Sequence, residues 1–257
     1  MLLRRMTKHV REQNWSDVAL ELVIVVVGVF IGIQAANWNE RRVEQRQEAD
    51  ILLGIAADVR RDLDELRIGS AIMLTGIGAG NYALAAIGEA PTSTSSFGGI
   101  PADIPDIPEP TEDQKDRLWS LLIAAYFPGA ATTAYDVLMS TGNLGIISDP
   151  DLVDAIQNYY RLHKGMERTH DGTMRPLRND MLEIGRRFGL SPSYDLPEAE
   201  LLALLAEDEE LRTAYRNQLG YKILQYGEQE LIMDVATEIL ERIDDEAGSN
   251  PLSRSSS

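Results

Sequence analysis

From Val18 to Ala36 the chain reads VALELVIVVVGVFIGIQAA, and Glu21 is the single charge in that stretch. Apolar residues occur at every helical phase, so no one face is set aside for a protein core. At 1.5 Å per residue the run makes a helix about 28 Å long, close to the hydrocarbon thickness of a bilayer, roughly 30 Å. Trp15 and Trp38 flank it, about 34 Å apart along a helix, the separation that seats one indole at each membrane interface. A transmembrane helix over 18–36 is predicted, in preference to a buried core helix or a signal peptide. Cleavage after Ala36 would put Gln34 where a small residue is needed.

Beyond Glu40 the pattern changes. Leu52, Ile55, Val59, Leu63 and Leu66 recur at steps of three and four, with Arg60, Arg61, Asp62, Asp64 and Glu65 mostly between them, which predicts an amphipathic helix with a solvated acidic face. Residues 68–88 carry no charge. Five glycines and scattered polar residues dilute this stretch, so a core helix is expected over a second membrane span. Its TGIGAGN motif lacks a preceding strand, and close helix packing explains it better than a phosphate loop. The Pro/Ser/Gly-rich 91–110 reads as a surface linker.

Thr111 and Gln114 have capping-box spacing and open a helix through Leu118, Trp119, Leu122, Ile123 and Tyr126, expected to end at Pro128-Gly129. A second helix is predicted over 130–140. Asp149, Pro150 and Asp151 mark the next helix start. That helix is expected to bend or break near Gly172 and Pro176 and to end at Phe188-Gly189. Helices over 196–206 and 210–246 follow, the latter with Leu211, Tyr215, Leu219, Ile223, Leu231, Val235, Ile239 and Ile243 in its stripe. The fold class is all-α: one N-terminal transmembrane helix, then a helical bundle with long amphipathic helices. The predicted organisation is a basic head (1–17), the span (18–36), a helical extension or first bundle helix (37–90), the linker (91–110), a helical domain (111–248) and a disordered tail (249–257).

Charge orients this arrangement. The head carries +2 and the remainder of the chain −19, out of a total of −17. Four Lys or Arg precede the span and Arg41, Arg42 and Arg46 follow it, which favours a cytoplasmic N-terminus and a translocated body. So acidic a body repels nucleic acid, and no nucleic-acid role is expected. The chain has no cysteine, which excludes disulfides and thiolate chemistry.

VVVGVFIGIQ at 25–34, preceded by Glu21 and closed by Asn37, Trp38, Asn39 and Glu40, together with AYDVLMSTGNLGIISDPDLVDAIQNYY at 134–160, resembles an uncharacterised family of bacterial single-pass membrane proteins, a domain of unknown function. The resemblance covers about 50 residues. It implies a helical, membrane-anchored bacterial protein and no activity; with the charge orientation above, the expected address is the inner membrane with a periplasmic body.

Three candidate sites follow. Within the span, Glu21, Val25, Gly28, Gly32 and Ala35 share one face, and the Gly28/Gly32 pair has the GxxxG spacing that lets two helices approach closely. A homo-oligomer through this face is expected, or a partner membrane protein. A lesser alternative makes Glu21 the carboxylate of a proton-coupled membrane complex. His163, Glu167 and His170, at i, i+4 and i+7, could bring metal ligands to one helix face, which would make the chain a metal-binding protein or metal-dependent enzyme. Helix-surface residues are the commoner meaning of that spacing. Tyr135, Asp136, Asn143, Tyr159 and Tyr160 mark the region where a ligand pocket would be sought. No nucleophile motif is present, no cofactor is expected, and the favoured reading is a non-enzymatic, membrane-anchored interaction or sensing domain outside the cytoplasm. If the glycine face joins two copies, Gly28→Ile and Gly32→Ile will each lower self-association in a membrane two-hybrid reporter; an undiminished signal removes that interface.

Overall fold

A computed structural model describes residues 15–90, 92, 104, 106–140 and 142–249, with side chains between residues 20 and 245 except Asn143. Most of the expected basic head, much of the expected linker and the tail beyond Ser249 lie outside the described residues. The described chain is helical and contains no strand. Its elements are α1 (Trp15–Ala86), α2 (Glu112–Lys115), α3 (Leu118–Ile123), α4 (Thr133–Ser140), a 3₁₀ turn (Asn143–Ile146), α5 (Pro150–Thr169), a π turn (His170–Met174), α6 (Arg175–Arg186), α7 (Glu198–Glu207) and α8 (Glu209–Ser249). Internal contacts divide the chain into two units, Met1–Asp50 and Ile51–Ser257.

In the first unit, every described side chain from Leu20 to Arg41 is exposed. The large apolar residues of that stretch are between 48% and 65% accessible. One described helix, α1, is long and apolar enough to cross a membrane, and none of its most apolar window is buried. Past that window, the Arg42 guanidinium lies 4.9 Å from the Trp38 ring centroid, and Arg41 Nε donates to the Asn37 carbonyl at 3.3 Å.

The second unit is organised by the rest of α1 and by α8, which run antiparallel. Arg60 pairs with Asp244 at 3.0 Å, Ser70 Oγ donates to Glu230 at 2.7 Å, and Glu89 pairs with Arg212 and Arg216. Each step forward on α1 meets a step back on α8. Apolar residues gather in two clusters along this pair. One contains Leu52, Ile55, Val59, Leu66, Leu152, Ile156, Tyr159, Ile232 and Ile239. The other contains Met73, Ile77, Leu84, Leu118, Trp119, Leu122, Leu205, Tyr215, Leu219 and Ile223. Residues 68–88 therefore supply core, and α1 beyond Asp50 shares that core with the helices that follow.

Between the clusters lies a polar waist of buried Ser70, Lys222, Gln225 and Gln229. It serves the segment 124–132, which is not helical. The helix expected to reach Pro128-Gly129 stops at Ile123, because backbone carbonyls beyond it are claimed by side chains. Arg178 Nε donates to Ile123 O at 3.0 Å, Lys222 Nζ to Ala124 O at 2.5 Å, and Gln225 Nε2 to Tyr126 O at 3.3 Å. Earlier in the same stretch, Thr111 N–H donates to Gln114 Oε1 at 2.9 Å, the reach-back half of a capping box. The chain then turns at Asp116 and Arg117, and Asp195 Oδ1 accepts from Ser120 N–H at 2.8 Å near the start of α3.

Asp149 caps α5 by accepting from Asp151 N–H at 2.9 Å, with Pro150 at the first helical position. The expected bend becomes a π turn immediately before Pro176. Proline supplies no N–H and crowds the carbonyl four residues earlier; a locally widened turn accommodates that without ending the helix.

The GIGAG stretch of α1 packs against backbone. A Cβ at Gly78 would sit 1.9 Å from the Pro108 carbonyl oxygen, and one at Gly76 would sit 2.6 Å from that of Leu121. Ile104 is buried as well, and Ile107 packs partly against the same cluster, while Asp106, Pro108 and Glu109 stay exposed, so the described part of 91–110 is a surface segment that touches the core through its isoleucines. By contrast, nothing lies within 4 Å of a Cβ at Gly165, inside α5. Gly78→Ala is expected to lose about 1–3 kcal/mol of stability through overpacking, whereas Gly165→Ala is expected to gain up to about 1 kcal/mol through helix propensity. Chemical denaturation of the two variants measures both, and a neutral Gly78→Ala would refute the close approach.

Candidate functional site

The site is built on a ladder of acids. Asp58, Asp62 and Glu65 follow i, i+4, i+7 spacing, which sets them on one face of α1. All three take donors from the segment that leaves α3. Glu65 accepts from Tyr126 OH, both oxygens of Asp62 accept from Ala131 N–H at 3.0 and 2.8 Å, and Asp58 accepts from Ala134 N–H at 3.0 Å. The last contact lies in the first turn of α4, where unpaired amide groups favour an anion. Asp62 is 2% exposed and also accepts from Tyr159 OH at 3.0 Å. Burial raises its pKa, and the Ala131 amide and Tyr159 hydroxyl partly offset that. These acids were expected to be a solvated helix face. Asp62 corrects that expectation: it occupies a place in the apolar stripe and fastens a neighbouring segment.

Anchored in this way, the segment 127–132, the start of α4 and one face of α5 enclose a cleft of about 540 Å³. Tyr160, His163, Lys164 and Glu167 reach it from α5, spaced to share a face; Tyr135 and Asp136 come from α4, and Phe127 and Thr132 from the segment. Tyr135 and Tyr160 stack with centroids 4.0 Å apart and rings 19° from parallel. Tyr160 OH donates to Ala131 O at 3.2 Å, and Thr132 Oγ1 donates to Asp136 at 2.7 Å. His163 is 5% exposed, and its Nε2 is buried with no hydrogen-bond partner. Burial lowers its pKa to about 4, so its imidazole is neutral at neutral pH. A hollow of similar size, about 560 Å³, lies between α6 and α8. It has neither an aromatic wall nor an unpartnered buried polar atom, so the chemistry belongs to the first cleft.

The structure divides the residues expected to form sites. Tyr135, Asp136, Tyr160, His163 and Glu167 line one cleft. Tyr159 turns into the core, edge-on to Tyr160 and His163. The Asn143 side chain lies outside the described residues. His170 stacks on Phe127, centroids 4.2 Å apart, and does not line the cleft. The expected metal set of His163, Glu167 and His170 is therefore not assembled: one member is buried, one is exposed and one is stacked at the π turn. Among the described residues, no group of three or more His, Asp or Glu side chains could hold a metal ion. Phe127, Thr132 and Lys164 were not anticipated, since nothing in their local sequence distinguishes them. No family model, curated protein or solved structure matches the chain.

Upstream of the cleft wall, Lys222 is 2% exposed and holds the Ala124 carbonyl. Burial, with a smaller repulsion from Arg178, lowers its pKa to about 7. The unfolded chain, with a lysine near 10.4, then binds more protons than the folded chain between these two values. Stability must therefore rise with pH across that window and level off at its lower value once pH is below about 7. Lys222→Met is expected to flatten this rise, as measured by thermal melts from neutral to alkaline pH. A wild-type slope retained in the variant would contradict the assignment.

Proposed function

We propose that the protein is a non-enzymatic, membrane-anchored helical domain that senses or binds a small ligand outside the cytoplasm. In this reading, 18–36 lies in the bacterial inner membrane, the N-terminus is cytoplasmic and the body is periplasmic. The observation that carries it is the apolar surface of α1 from Leu20 to Ile33, about half or more accessible on all sides. A protein in water rarely exposes so large a continuous apolar area, and a bilayer is the solvent that suits it. Trp38 with Arg42 against its ring suits the interface beyond.

The body supports a binding role over a catalytic one. Its cleft offers aromatic surface, carboxylates and a neutral imidazole, and its one hydroxyl–carboxylate contact, Thr132 to Asp136, joins two residues one turn apart at the start of α4. Gly28 and Gly32 have nothing within 4 Å of a built Cβ, which leaves that face open to a second copy or to a partner helix. The resemblance to the uncharacterised membrane family agrees with this reading. A reporter enzyme active only outside the cytoplasm, fused after Ser257, is expected to be active, and the full chain is expected to need detergent for extraction from membranes. An inactive reporter alongside an active cytoplasmic one would overturn the orientation, and a freely soluble full-length chain would overturn the anchor.

A further inference from the structure

We propose that the cleft walled by Phe127, Tyr135 and Tyr160 binds a small organic cation, an amine carrying an apolar or aromatic group, with its ammonium held between Asp136, Glu167 and the His163 imidazole. This rests on the ligand-binding reading above and specifies its chemistry. The volume, about 540 Å³, falls in the range of small-molecule sites, about 300–1,000 Å³.

Charge chooses the ligand's sign. Asp136 and Glu167 are at the cleft, and Asp58 and Asp62 stand behind its aromatic wall, against Lys164 at the opening and Arg61, which is 3.5 Å from Asp58. The balance is negative. The same field acts on Tyr160, whose ionisation is suppressed first by burial and then by Asp58, Asp62, Tyr135 and Asp136. An anionic ligand would meet that field. A cation meets it favourably, and open ring faces attract a cation.

The imidazole makes the inference specific. His163 Nε2 is a buried polar atom without a partner, on a side chain lining the cleft, and such atoms are usually satisfied. In the tautomer that leaves Nε2 unprotonated, this atom can take an N–H from an ammonium group. A purely apolar ligand would leave it unsatisfied.

The test is calorimetric titration of the full-length protein in detergent micelles at neutral pH. The probes are phenethylamine, its alcohol analogue 2-phenylethanol and the carboxylate phenylacetate. Phenethylamine is expected to bind with a Kd at or below about 1 mM, at least about tenfold tighter than the alcohol, with phenylacetate weaker still. Asp136 and Glu167 are exposed, so the double variant Asp136→Asn, Glu167→Gln should fold and melt as the parent does while losing at least about tenfold in amine affinity. Equal or tighter binding of phenylacetate or the alcohol, absence of amine binding below about 1 mM, or undiminished affinity in the double variant would each overturn the proposal. The membrane reading stands or falls separately on the reporter fusion, because the titration is indifferent to orientation.

Discussion

A carboxylate removed from water must be repaid in hydrogen bonds, and Asp62 meets that demand with one backbone amide and one phenol. Hydrogen bonds to a charged group contribute about 1.5–3 kcal/mol each, enough to offset burial when the geometry is good. The consequence is positional. Ala131 and Tyr159 come from different parts of the chain, and a single side chain on α1 fixes both. Asp58 and Glu65 extend the attachment on either side, so one helix holds the non-helical segment at Tyr126 and Ala131 and the start of α4 at Ala134. The cleft exists because that segment cannot drift.

The same accounting explains the waist between the apolar clusters. A non-helical stretch crossing a core brings carbonyls that have lost their helical donors. Lys222, Gln225 and Arg178 supply replacements from α8 and α6. An all-apolar waist would bury more hydrocarbon but leave those carbonyls bare, at a cost of about 1–3 kcal/mol for each unsatisfied group. Lys222 also fits the space left by Gly76, where a Cβ would fall 2.2 Å from its Cε. The glycine motif and the buried lysine are thus two halves of one packing solution.

Local patterns were legible where local physics decides the outcome. The all-helical class, the apolar run and the Asp149-Pro150 helix start could be read because period, length and capping act within a few residues. The ladder was not legible, since Asp58, Asp62 and Glu65 look like any charged helix face until a partner segment is placed on it; only the position of Asp62 within the apolar stripe hinted otherwise. The end of α3 was misplaced for the same reason: the donors that stop it lie more than 50 residues away. His163, Glu167 and His170 had the right spacing for one face, yet the π turn begins at His170 and that residue stacks on Phe127. The cleft united two groups of residues that the sequence had kept apart.

Two apolar clusters strung along one antiparallel helix pair, with a hydrophilic layer between them, make a body whose halves need not loosen together. One cluster covers the helix stretches 52–66 and 232–243, and the other covers 73–84 and 211–226. Each half can therefore open with its own free energy. A molecule lodged beside Tyr160 would deepen the protection of the half that contains it, and the difference between the halves would record its presence.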